Sequence, residues 1–296
     1  MTVERYLRAV DDLGTGKSWY QTGGDVLFAA VVATVDELDG DEIRSRASTL
    51  SGSIENTDPL HYVLHTVAAV AAARGIGITE FLDDTSGLTD ALRPSTRLSQ
   101  PRRIAAAIAA LSGSRELDER ASAIMELYDS WNGRQRLRTT ASDLPLAAIT
   151  VAADTGVDRA AHDATVVYDE LGRRGYGDEW DVARILALER PDAPMHRFLA
   201  VCERLRGRRR KPVSDRRPAI AFAALGHHDI TSTVGLVAER ADAVRVGRFK
   251  PDPSWAVTLA ALMTLGESVE PDHGLRTAFH GAVIAQHYEI AARRAG

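Results

Sequence analysis

The sequence predicts an all-α protein, an internally duplicated stack of helical hairpins arranged as an open α-solenoid or a closed α/α toroid. Three observations predict it. Apolar residues recur at helical spacing in most segments and almost nowhere alternate. Hydrophobic residues reach 45% while aromatics are only 6%, so the cores are filled by Ala, Val, Leu and Ile, and alanine richness favours helices. Three blocks also recur in the same order at nearly constant spacing, the signature of an internal repeat.

Those blocks set the domain organisation. DVLFAAVVATVDEL from Asp25 matches DLPLAAITVAADTG from Asp143, and YVLHTVAAV from Tyr62 falls on WDVARILAL from Trp180 at the same offset. RRIAAAIAAL from Arg102 then falls on RRPAIAFAAL from Arg216 at nearly that offset. The chain therefore divides into an N-terminal helix and turn (1–23), a first helical half (24–142), a second half (143–270) and a C-terminal helix (271–296) expected to cap the end of the stack.

Individual helices follow from one-sided apolar stripes. Ile43, Ala47, Leu50 and Ile54 form one, and Leu117, Ala121, Ile124, Met125 and Tyr128 place a helix over 115–131. Ala160, Ala164, Val167 and Leu171 form another, as do Ile230, Val234, Val237 and Ala241. Asp58-Pro59 and Asp252-Pro253 pair a capping carboxylate with a proline at the first helical position, and Asp143 and Asp178 read as caps without one. Gly75 and Gly172 mark expected helix stops. Val244 to Phe249 reads as a helix end running into a loop, so no sheet is assigned. About fourteen helices fit the length. Linkers are expected at 93–101, 190–194 and 207–218.

The Leu-Ala-Ala helices, Tyr168-Asp169-Glu170-Leu171, Gly175-Tyr176 and the ILAL of 185–188 together resemble an uncharacterised bacterial family, the domain-of-unknown-function family numbered four thousand and three. The resemblance extends over most of residues 20–270. It implies a helical fold, with no activity and no catalytic residues to carry over.

Charge and motifs narrow the function. A formal net charge of -5 argues against a surface that binds polyanions throughout, so any anion recognition must be local. The single cysteine, Cys202, forms no intrachain disulfide, no signal-peptide core is visible, and Leu60 to Ala73 is too short to span a bilayer. A cytoplasmic protein without a cofactor is expected. Gly14-Thr15-Gly16-Lys17-Ser18 resembles the end of a phosphate-binding loop, but Asp11 stands where the first glycine belongs and residues 2–10 read as helix rather than strand. No metal is expected: His61 and His65, four apart, have a spacing compatible with zinc, with His280, His287, Asp83 or Asp84 as third ligands, but no HExxH is formed and partly buried, hydrogen-bonded histidines are the plainer reading. Asp83-Asp84 and the acidic run Asp36 to Glu42 do not complete a magnesium-binding DDxxD pattern. His227-His228-Asp229 offers a base, yet Asp229 reads more simply as a cap.

The most unusual composition is basic. Arg204 to Arg217 contains eight basic residues against one acid, Asp215. Arg206, Arg208, Arg209, Arg210, Lys211, Arg216 and Arg217 are the candidate partner-binding residues, and a solvated loop is the plainer alternative. Arg93, Arg97, Arg102 and Arg103, and Arg134, Arg136 and Arg138, lie in other interhelical segments that stacking of repeats would bring to the same edge. Aromatic interleaving is absent, which favours a protein or anionic ligand over sequence-reading nucleic-acid contact. The expected function is a non-enzymatic binding scaffold; the competing expectation is an enzyme with its site in the axial pocket of a toroid.

Overall fold

Alanine-rich helices that are apolar all round need partners on every side, whereas helices with one apolar stripe need one. The computed structural model sorts the chain along that line. It describes residues 3–14, 19–92, 99–113, 116–134, 143–177, 179–189, 192–207, 217–245, 251–271 and 273–295. Among them are fifteen α-helices, one 3₁₀ turn (Pro59–Val63) and no strand.

Seven helices form an inner layer: α2 (Trp19–Val35), α4 (Leu64–Ala73), α6 (Ser99–Ser112), α8 (Asp143–Ala152), α10 (Trp180–Leu186), α12 (Arg217–Leu225) and α14 (Pro253–Ser268). Each packs on the next in chain order, and α14 packs back on α2. Their side chains are buried on all faces, as in Val67 to Ala71 of α4 and Ala219 to Leu225 of α12. Six amphipathic helices lie outside them: α3 (Gly40–Ser53), α5 (Ile78–Ala91), α7 (Leu117–Arg134), α9 (Val157–Arg173), α11 (Asp192–Gly207) and α13 (Ile230–Ala243). Each packs on the inner helix that follows it, and α1 (Val3–Leu13) packs on α2. The stripes read from sequence are the buried ones: Ile43, Ala47 and Leu50 in α3, and Ala160, Ala164, Val167 and Leu171 in α9.

The last helix, α15 (Gly274–Ala295), does not cap the end. It contacts α2, α4, α6, α8, α12 and α14 and is buried almost continuously from Leu275 to Tyr288. Gly281 permits this, since a Cβ there would lie 2.9 Å from Ile149 and 3.0 Å from Ile108. The misreading has a physical cause. Arg276, His280 and His287 form a polar stripe that imitates a solvent face, but its partners are Asp25 on α2 and Asp36 just after it. Arg276 Nε donates to Asp36 at 3.1 Å, its guanidinium donates to the carbonyls of Val35 and Val269, and His280 Nε2 lies 2.9 Å from Asp36. The stripe thus closes helix C-termini in the interior and runs antiparallel to α2.

Local signals place some helix ends and miss others. Asp58 caps the 3₁₀ turn by accepting from Leu60 N–H at 2.9 Å, and Asp229 caps α13 through Thr231 and Ser232. Gly75, with φ +67°, follows α4, but α9 runs past Gly172 and the left-handed residue is Gly175 at φ +81°. Asp192 to Pro194, read as linker, open α11. Asp178 lies outside the described residues. No single helix among the described residues is long and apolar enough to cross a membrane.

Candidate functional site

Two polar regions of the inner layer differ in access to solvent. The first is built on Asp25, near the start of α2. Its carboxylate accepts from the backbone N–H groups of His65 (2.8 Å) and Thr66 (3.0 Å) and from the Thr66 hydroxyl (3.1 Å), and lies 2.6 Å from His65 Nδ1. Asp25 thereby satisfies first-turn donors of α4 that have no intrahelical acceptor. His287 from α15 completes the group, with Nδ1 3.0 Å from Thr66 Oγ1 and 3.7 Å from Asp25. Its ring stacks on Phe28, and Gly24 leaves room for Trp255 beside it.

Burial alone would raise the Asp25 pKa, but the His65 hydrogen bond, the charges of His65 and His287 and the His65 amide outweigh it and hold the carboxyl below its usual value. For His287 burial prevails over the attraction of Asp25, and the pKa falls to about 4, so the imidazole is neutral at pH 7. All four residues are less than 10% exposed. The arrangement resembles a base activating a hydroxyl, yet it is closed to substrate.

His61 and His65 do not share a helix, because the chain passes from the 3₁₀ turn into α4 between them. His65 is committed to Asp25, while His287, one of the suggested third ligands, reaches this group through Thr66 and Asp25. Asp36 serves Arg276 and His280, Asp39 caps α3, and Glu37 pairs with Arg5 at 2.7 Å, which accounts for much of the acidic run.

The second region surrounds Arg184 of α10. Its guanidinium pairs with Asp143 and lies 4.6 Å from the Trp131 ring centroid and 5.7 Å from that of Trp180, with Asp181 3.7 Å away. Beside this group is a cavity of about 410 Å³ lined by Pro101, Pro145, Leu146, Asp181 and Pro218 from the first turns of α6, α8, α10 and α12, by Ile185 near the end of α10, and by Ala285, Gln286, Tyr288, Glu289 and Ala292 of α15. Four helices therefore begin at one end of the molecule. Prolines suit first turns, where an N–H has no intrahelical acceptor, and here they present rings to the cavity. Gln286 is only 6% exposed, lines the cavity and forms no hydrogen bond with another described residue. Tyr288 donates its hydroxyl to Gln100 at 3.2 Å, and burial, reinforced by Tyr62, raises its pKa.

Of the seven candidate basic residues, Arg208, Arg209, Arg210, Lys211 and Arg216 lie outside the described residues, and Arg206 falls in the last turn of α11. Arg217 requires correction: it opens α12, pairs with Glu179 and lies 5.1 Å from the Tyr176 ring centroid, so its charge is engaged within the fold. Arg103 is likewise held, 3.1 Å from Asp58. Arg93, Arg97, Arg136 and Arg138 are also outside the described residues.

Sequence reasoning missed a third group. Glu189 after α10, His227 after α12 and His273 before α15 place one ligand atom each within 4.8 Å of the others. Their distant chain positions give no spacing motif, and His227 was legible only as part of a His227-His228-Asp229 base beside the Asp229 cap. Compared with protein-family models, curated proteins and solved structures, the chain finds no match.

Proposed function

We propose that the chain is a non-enzymatic binding scaffold whose recognition end is the one at which α6, α8, α10 and α12 begin. One observation carries this reading: the helices entered from three separate basic segments, α6, α8 and α12, open on the same cavity. The chemistry favours a ligand with two parts. Prolines, Leu146, Ile185 and the alanines of α15 accept an apolar group, and the Gln286 amide in the wall offers it a polar contact. Asp181 and Glu289 in the wall disfavour an anion inside the cavity, so an anionic group would remain at the mouth. An acidic protein segment bearing an exposed apolar side chain meets both requirements, as does a small anionic amphiphile.

The enzyme reading has weaker support. The side chains it would use, Asp25, His65, Thr66 and His287, are sealed, and α15 packs against α2, α4, α6, α8, α12 and α14.

8-Anilinonaphthalene-1-sulfonate, an aromatic sulfonate, tests the scaffold. Its fluorescence should report saturable binding that weakens with salt. Replacing Arg208, Arg209 and Arg210 with serine should leave helix content unchanged, reduce affinity and flatten the salt dependence. Identical titrations for wild type and the triple variant would remove the basic segment from recognition.

A further inference from the structure

We propose that Glu189, His227 and His273 form a divalent transition-metal site of the zinc class. The three residues come from segments far apart in the chain, yet their ligand atoms lie within 4.8 Å of one another. Two imidazoles and one carboxylate are a donor set suited to zinc, with a fourth position left for water. The His227 and His273 rings meet edge to face, with centroids 5.9 Å apart and planes at 89°. This arrangement allows nitrogen lone pairs to converge, which parallel stacking would prevent.

Zinc–nitrogen bonds of about 2.0 Å place tetrahedral ligands about 3.3 Å apart. Both histidines are exposed, so side-chain rotation can close the remaining separation while the helix ends stay fixed. Two contacts compete with the metal. Arg197 lies 3.7 Å from Glu189, and His273 Nδ1 accepts the Leu275 N–H at 3.1 Å. A metal at Nδ1 replaces that N–H, whereas a metal at Nε2 requires the proton to move to Nδ1. Binding therefore exchanges a hydrogen bond in the first turn of α15 for a metal bond. The site joins the ends of α10 and α12 to the start of the central helix, and metal should stabilise the fold by mass action.

Cobalt(II) provides the direct test because its visible absorption reports coordination geometry and ligand type. The full chain, stripped with EDTA and titrated with cobalt chloride, should bind one equivalent and develop a d–d band that zinc chloride abolishes. His227→Gln and Glu189→Gln, both altered at helix ends, should each weaken binding at least tenfold while circular dichroism stays unchanged. His196→Gln, an exposed histidine outside the site, should bind as wild type does. Zinc should also raise the Tm of wild type by several degrees but not that of His227→Gln. Absence of stoichiometric cobalt binding, or equal binding by wild type and His227→Gln, would overturn the site.

Discussion

Asp25 and Asp143 begin two similar stretches of sequence, and the offset that relates them also relates Thr66 to Arg184. In the first half the carboxylate turns to helix amides, a hydroxyl and imidazoles; in the second it meets a guanidinium. The difference decides access. Short partners around Asp25 leave space that α15 fills with His287. Arg184 reaches its carboxylate from the adjacent inner helix and fills its own surroundings between two tryptophans, while α15 turns Gln286, Tyr288 and Glu289 toward the cavity. Adjacent residues of one central helix thus seal one region and line an opening in the other. The carboxylate partnered by α15 is sealed, whereas the one partnered by the neighbouring inner helix lies beside the cavity.

The largest expected effect comes from removing each carboxylate. Asp143→Ala leaves Arg184, a charge that cannot be shed, buried without its partner and should cost about 3–5 kcal/mol in urea denaturation. Asp25→Ala leaves two amides, the Thr66 hydroxyl and the His65 imidazole without their acceptor, and at about 1–3 kcal/mol for each unsatisfied buried group it should cost at least as much. A loss below about 1 kcal/mol at either carboxylate would break the comparison. The double substitution Asp143→Leu with Arg184→Met should recover much of the Asp143→Ala loss, because a buried ion pair can be exchanged for apolar packing of similar volume.

Acid should separate the regions next. His287 has an ordinary value of 6.5 in the unfolded chain and about 4 in the fold. Between those values the unfolded state binds the extra proton, so stability falls as pH drops below 6.5, and the loss is complete below about 4. Its magnitude is on the order of 3 kcal/mol. Asp25, held below its usual range, stays charged through that window. Chemical denaturation between pH 7 and 4 should show this decline, and His287→Gln should flatten it. An unchanged slope would assign the acid sensitivity elsewhere.

A smaller effect is expected where α15 meets α6 and α8. Gly281→Val places methyl groups against Ile108 and Ile149 and should cost about 1–3 kcal/mol by overpacking. Tryptophan fluorescence should also show greater quencher access to Trp255, which lies beside His287. Loss of stability without that change would mean that α15 does not seal the first region.

The fold class and the outer helices were legible because a one-sided stripe specifies both helix and buried face, as in α9 and α13. The inner helices were legible as helices through their alanine content, although sequence alone does not say what surrounds an apolar cylinder. The location of α15 was hidden because polar residues at helical spacing read as a wet face unless their buried partners are known, and Asp25 and Asp36 lie at the other end of the chain. Of the candidate residues, the basic composition was visible but the internal engagement of Arg217 was not, since Glu179, just before α10, lies far from it in the chain. The cavity was hidden for a related reason: prolines in first turns signal helix starts and do not disclose that several starts converge.

The central claim is that the Asp143 side of α15 binds ligand and the Asp25 side does not. It is tested most directly by measuring 8-anilinonaphthalene-1-sulfonate affinity for two folded variants, one on each side. Ala285→Phe extends a ring into the cavity, and Thr66→Val removes a hydroxyl from the sealed group with little change in shape. The account predicts at least tenfold weaker binding for Ala285→Phe and wild-type affinity for Thr66→Val. Unchanged affinity in Ala285→Phe, or weakened affinity in Thr66→Val, would contradict it.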